Sequence, residues 1–402
     1  MKANAAIQTN PWLYWFAVLT ALATLALIGI GGLVTSHEAG MSVPDWPTTY
    51  GYNMFLFPIS KWLGGIFYEH SHRLLASLVG LMTTVLAIWL WLKDSRQWMH
   101  WLGVAAFLLV VAQGVLGGLR VTLHMDSLGI YHATIAQLFF VLTCALALFT
   151  SRWWQNYGRD ALPRVPNFQN EAAQQRGPTM QSLKWLGLFT TLLILGQLVL
   201  GAAMRHQHAG LAISDFPLAH GKLWPDTGAD AIARYNAQRV SINAENPITA
   251  FQVELQMAHR VVALAILILA VVCVWQAQRW SSRSRLGEAS GAAWVSVSEG
   301  AGNPAPGGIE FQPRVFVRLS WFWLALIFSQ VGLGAATIWS NKAADVATAH
   351  VLVGALALAV GALWCAIAFR QTAAAVCDLR TEDRRFPGAA TMGAQAAMTG
   401  NK

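Results

Sequence analysis

Eight stretches of this chain are apolar almost without interruption: residues 12–35, 67–92, 99–122, 127–150, 183–205, 249–277, 315–339 and 344–370. Their apolar residues run on continuously and do not alternate, which predicts helices and speaks against a β-barrel. Each stretch is near the run of about 20 residues that a bilayer core demands. The pattern predicts an all-α integral membrane protein with eight transmembrane helices embedded in the lipid bilayer. Polar residues gather at the ends and in the connections, apart from a few inside the spans.

Composition agrees with this pattern. Of 402 residues, 55% are hydrophobic and 11% charged, and the mean hydropathy is +0.44. A soluble domain carries about 25% charged residues, so this chain lacks the polar surface to face water. Lys and Arg set the orientation. Lys93, Arg96, Arg152, Arg159, Arg164, Arg176, Arg279, Arg283, Arg285 and Arg314 crowd one set of connections, and the tail adds Arg380, Arg384 and Arg385. The opposite set is longer yet holds only Lys61, Arg205, Lys222, Arg234, Arg239 and Lys342. Both termini are therefore expected in the cytoplasm, with the protein in the cell inner membrane. The net charge of +8 is accounted for by inside-facing loops and needs no nucleic acid. The first run is too long for a signal peptide and is expected to be retained. Cys144, Cys273 and Cys365 fall in the inner halves of spans and Cys377 in the tail, so none is placed for an outer disulfide.

The chain also repeats itself. "AGMSVPDWP" at 39–47 returns as "AGLAISDFP" at 209–217, a shift of 170. "EHSHR" ending at Arg73 returns as "QMAHR" ending at Arg260, "QGVLGG" from Gln113 as "QVGLGA" from Gln330, and His132 as His350. The order is kept while the shift grows, as longer connections in the second half would require. The reading is two tandem pseudo-symmetric four-helix bundles in parallel orientation, residues 12–150 and 183–370. An N-terminal segment 1–11, a linker 151–182 and a disordered tail 371–402 would be cytoplasmic. The connection 278–314 is rich in Gly, Ser and Ala and reads as flexible.

Four histidines stand out: His72, His132, His259 and His350, one in each even-numbered span. Those spans all run from the outside inward, and each histidine lies within about ten residues of its outer end. At a rise of about 1.5 Å per residue, all four imidazoles fall in the outer part of the bilayer. Two histidines per bundle at matched depth are suited to bis-histidine ligation of haem iron. A membrane histidine can also be an ordinary hydrogen-bonding residue, but the pairwise repetition argues against that for all four. Zinc is less attractive, with two good ligands per half. His70 competes with His72, yet only His72 has a histidine counterpart, His259.

Around these ligands, Glu69, His72 and Arg73 share one helix face. Arg73 and Arg260 suit haem propionates, or else reach to lipid phosphate. Glu69 has Gln256 as its counterpart, so one half keeps a carboxylate where the other has an amide. That asymmetry points to Glu69 as the catalytic residue of a reacting N-terminal site, unless it merely pairs with Arg73. Asp45-Trp46-Pro47 and Asp215-Phe216-Pro217 read as stiff lids in the outer loops. His206, His208 and His220 in the long loop 206–248 are taken as surface residues.

These residues resemble the haem A synthase family: the duplicated four-span unit, Glu69-x-x-His72-Arg73, the His259-Arg260 echo, the lone His132 and His350, and "GGLVTSHEAGMSVPDWPTTYG" at 31–51. The resemblance spans roughly residues 12–370. It implies a monooxygenase-type oxidoreductase that oxidises the position-8 methyl of haem O to a formyl group, giving haem A for terminal oxidases. It further implies haem O as substrate at His72, His132 and Arg73, and haem B as cofactor at His259, His350 and Arg260. Haem O synthase, cytochrome oxidase assembly and an unidentified electron donor would be its partners, and a homo-oligomer stays open. Some members carry cysteine pairs in the outer loops; this chain has none there. Two other readings compete, a di-haem b-type cytochrome and a non-catalytic haem carrier. Placing all four histidines toward one face disfavours electron transfer across the membrane.

Overall fold

A computed structural model describes residues 10–125, 127–156, 179–238, 247–295 and 313–385. Among them are eight helices long and apolar enough to cross a membrane. We number them α1 (Pro11–Ser36), α2 (Gly65–Lys93), α3 (Gln97–Thr122), α4 (Leu128–Thr150), α5 (Met180–His206), α6 (Ala250–Val295), α7 (Pro313–Trp339) and α8 (Ala344–Arg385). Local chemistry sets their starts. Asn10 caps α1, its side-chain oxygen accepting from the N–H groups of Trp12 and Leu13 with Pro11 just inside. Thr179 and Ser182 form a reciprocal capping box on α5.

Helices α1 to α4 pack as one closed ring of neighbours and α5 to α8 as a second, giving the two four-helix bundles expected from the repeat. Each bundle has its own apolar core. Leu86, Leu90, Met99, Phe139 and Leu146 centre the first, and Ile194, Ile266, Trp323, Ile327 and Leu358 the second. The bundles meet where α1 and α4 lie against α8, and α4 against α5. Small residues make that seam tight: a Cβ on Gly29 would touch Leu352, and one on Gly32 would stand 3.0 Å from Thr348. Helix α8, with neighbours in both bundles, is the most enclosed span. Its run "GALALAVGAL" supplies the small side chains that such enclosure requires.

Two boundaries differ from expectation. Helix α6 continues to Val295 and α8 to Arg385, past the points where a flexible connection and a disordered tail were expected. Both continuations carry several Ala and Arg, which are good helix formers, and extending a helix is far easier than starting one. Of the side chains from 283 to 295 and from 372 to 385, Cys377 included, nothing is described. Most of the N-terminal segment and linker, the rest of the Gly/Ser/Ala connection and residues 386–402 lie outside the described residues.

Candidate functional site

All four histidines occupy the same place in four successive helical hairpins. Each faces a glycine on the preceding odd-numbered helix. A Cβ on Gly31 would stand 3.0 Å from the His72 ring, on Gly117 3.3 Å from His132, on Gly201 3.4 Å from His259 and on Gly334 3.4 Å from His350. Every one of these glycines lies five residues before the end of its helix, at Ser36, Thr122, His206 and Trp339. One turn earlier in three of the four, a glutamine side chain donates to the carbonyl of the facing histidine. Gln113 bonds His132 at 3.2 Å, Gln197 bonds His259 at 2.9 Å and Gln330 bonds His350 at 2.8 Å. In α1 the equivalent residue is Leu27. The twofold repeat is thus built on a fourfold one, in which a glycine lets an imidazole lie against the backbone and a glutamine fixes its helix.

The donor set fits a haem. In each of the four rings Nδ1 is shielded from solvent, and the rings of His72, His132 and His350 lie within hydrogen-bonding reach of the backbone of Leu27, Gln113 and Gln330 on the facing helix. A ring nitrogen held against a backbone carbonyl leaves the other, Nε2, as the donor each imidazole can present to a metal. The His259 and His350 ring centroids lie 6.5 Å apart. A metal bonded at about 2 Å to a nitrogen on each ring needs a separation of roughly that size. His72 and His132 are likewise within electrostatic reach of each other. His70 takes another course. It is fully buried between Phe57 and Trp62 with Nδ1 on the Thr49 hydroxyl, and its counterpart is Met257.

Both outer loops fold over the histidine end of their bundle by the same hydrogen bonds. Glu69 Oε2 accepts from the Val43 N–H at 2.8 Å, and Gln256 Oε1 accepts from the Ile213 N–H at 2.7 Å. Asp45 accepts from the N–H groups of Tyr50 and Gly51, and Asp215 from those of His220 and Gly221. Burial works to raise each carboxyl, but these N–H donors, with the Thr48 hydroxyl on Asp45, outweigh it and hold both below the usual carboxylate range. Both loops carry a cis X-Pro peptide, at Trp46-Pro47 and Phe216-Pro217. Trp46 packs on Gly118, beside the glycine that faces His132; a Cβ there would meet its ring.

The two arginines also hold the outer loops. Arg73 donates to the carbonyls of Val43, Asp45 and Thr48 and to Glu69 Oε1 at 2.7 Å. Arg260 donates to the carbonyls of Asp215 and Leu218. Each clasps its loop through its terminal nitrogens, and the Nε of Arg260 is left without a partner in the protein. Of His206, His208 and His220, only His208 is an exposed surface residue. His220 takes the place of Tyr50: each reaches back to the carbonyl eight residues earlier, and His220 also stacks on Tyr235 at 3.6 Å. His206 packs against Gly129 of the other bundle.

Two cations near the histidines escaped the sequence reading. Arg120, in the last turn of α3, is within electrostatic reach of His72 and His132, and Arg205, at the end of α5, of His350. Their repeat counterparts are Thr337 and Thr35, so a search for matched residues passes over both.

Comparison with known proteins adds the following. A family model described as "Cytochrome oxidase assembly protein" (COX15-CtaA) matches residues 14–298. A protein named "Heme A synthase" from Alkalihalophilus pseudofirmus is 27% identical over 224 residues, covering 55% of this chain and 68% of that protein. One of the same name from Shouchella clausii is 26% identical over 263 residues, covering 64% and 74%. Another from Methylorubrum populi is 24% identical over 323 residues, covering 72% and 76%.

Proposed function

The chain belongs to the cytochrome oxidase assembly protein family, and on that premise we propose that it acts as a haem A synthase, oxidising the position-8 methyl of haem O to the formyl group of haem A. The names of its relatives support this. The observation that carries it is the pair of matched histidine sites, in which four imidazoles recur against four glycines and the His259 and His350 rings stand 6.5 Å apart.

In this reading the N-terminal bundle holds the substrate, haem O, between His72 and His132. The C-terminal bundle holds haem B between His259 and His350, where it would supply one-electron redox chemistry. The chain's own contribution is positional and electrostatic. Four glycines give the imidazoles their approach, three glutamines fix their helices, and two clasped loops cover the outer ends against water. Raising a methyl to an aldehyde withdraws electrons from that carbon, so positive charge develops there. Glu69 is the buried anion of the N-terminal half, one turn from His72, and is placed to stabilise that charge. Its amide counterpart makes the C-terminal half the non-reacting one. In the monooxygenase-type reading dioxygen is the oxidant: two successive oxidations of the methyl carbon would consume two O2, four protons and four electrons from a partner outside the chain, and release three waters with the aldehyde.

The arginine-poor loops face outward and both termini face the cytoplasm, by the bias of Lys and Arg. A periplasmic reporter fused after residue 390 should be inactive; activity would reverse this orientation.

The function is tested in a bacterium that makes haem O but no haem A. With the chain expressed, its membranes should contain haem A or the hydroxymethyl precursor on extraction and mass analysis. Bound haem B with haem O unaltered, a competent electron donor being supplied, would favour the cytochrome or carrier reading.

A further inference from the structure

Arg73 and Arg260 commit their terminal nitrogens to their loops, which leaves Arg260 only its Nε for an acid side chain of a macrocycle. A second cationic notch lies at the seam between the bundles. Arg205, next to last in α5, reaches across to α1: its Nη2 donates to the Gly32 carbonyl at 2.7 Å and to the Ser36 hydroxyl. These bonds fix the guanidinium in place. Its Nε is shielded from solvent and has no partner in the protein, so one edge of a rigid forked donor remains available. Lys342, in the turn between α7 and α8, is half-buried nearby. Burial holds its ammonium below the usual range, the Arg205 charge adds to this, and Glu38 opposes it. Two cations thus share a partly enclosed notch with one exposed carboxylate.

The notch adjoins a histidine site. Arg205 is within electrostatic reach of His350. Thr348, two residues before His350, meets the Ser36 hydroxyl at 3.5 Å and lies against Gly32. Gly31, next in the chain, backs His72 of the other bundle. A carboxylate here would complete the guanidinium's hydrogen bonds and balance the charge, through the charge-assisted bonds that arginine makes best.

We propose that Arg205, assisted by Lys342, is the carboxylate anchor for the macrocycle held by His259 and His350, so that its acid side chains sit at the seam between the bundles. This rests on reading that site as a haem site. The test uses the full chain, purified from haem-depleted cells in a His72→Ala background, so that the bis-histidine signal reports the C-terminal site. Titration with haemin and with haemin dimethyl ester, followed in the Soret band, reads the preference for free carboxylates. The parent should prefer the diacid by about tenfold or more. Arg205→Gln should bring the ratio near one while keeping the bis-histidine spectrum, and Lys222→Gln, at an exposed cation of the outer loop, should leave it unchanged. Should Arg205→Gln fail to accumulate, Lys342→Gln, in a turn, should lower the ratio, and an unchanged ratio there overturns the anchor. A parent without preference, or Arg205→Gln with the parent's ratio, overturns it too. Absence of any bis-histidine signal with haemin overturns the haem site itself, a distinct outcome.

Discussion

Glu69→Gln is expected to give a folded protein that loads haem at both histidine pairs and no longer makes haem A. Gln256 shows why the fold should survive. At the equivalent position it accepts from the Ile213 N–H, as Glu69 does from Val43, and its own amide donates to the carbonyls of Gly210 and Ile213. Gly40 and Val43 stand in the same places for a glutamine at 69. Arg260 clasps its loop with Gln256 where Arg73 has Glu69, the carboxylate in its reach being that of Asp215, and Asp45 holds the equivalent place for Arg73. The structural work at this position is therefore within reach of a neutral amide, and the buried charge of Glu69 calls for another reason. Loss of a preorganised electrostatic contact costs about 10²–10³ in turnover, and a decrease of that size with unchanged haem spectra is the expected measurement. Normal haem A from Glu69→Gln would reduce Glu69 to a loop clasp and remove the case for the N-terminal half as the reacting one. Substituting Arg73 is the poorer experiment. It strands a buried carboxylate, a loss of about 3–5 kcal/mol that would confuse misfolding with lost chemistry.

The spans, the duplication and the four histidines were legible because each rests on a pattern the sequence displays directly. Continuous apolar runs mark spans, and His72, His132, His259 and His350 recur at matched places within them. The fourfold pattern was hidden because its signal is spread thinly. A glycine recurs five residues before each odd helix ends, but glycines are common in membrane helices and only packing distinguishes Gly31 from Gly29. The loop clasps of Arg73 and Arg260 were hidden for a different reason. Sequence places an arginine at the mouth of a site, but which acceptors converge on it depends on how the loop between 37 and 64 returns, and no local pattern encodes that. Arg205 was invisible for the converse reason: its acceptors belong to α1, 169 residues away at Ser36. Contacts across the seam of a duplicated protein break the repeat, so a search for matched residues misses them.

His259→Ala should abolish the bis-histidine haem spectrum of the C-terminal bundle while haem O still titrates into the N-terminal one. His259 is the better choice than His350 because of where its helix lies. Helix α6 packs against α5 and α7, whereas α8 forms the seam with α1 and α4, so a change on α8 would be felt in both sites. Folding should hold. The His259 Nδ1 has no internal hydrogen bond to lose, and the residue is half-buried, so a penalty of about 1 kcal/mol, ordinary for a point change, is expected. That is far too small to explain complete loss of a haem, so a vanished signal reports a lost ligand. The control is His208→Ala at the exposed loop position, which should leave both spectra unchanged. Since each bundle has an apolar core of its own beside the clusters the two share at their seam, reduced-minus-oxidised spectra of the variant should show the remaining site at full strength. An unchanged C-terminal spectrum would exclude His259 as a ligand, and loss of both haems together would show that the bundles do not hold their sites independently.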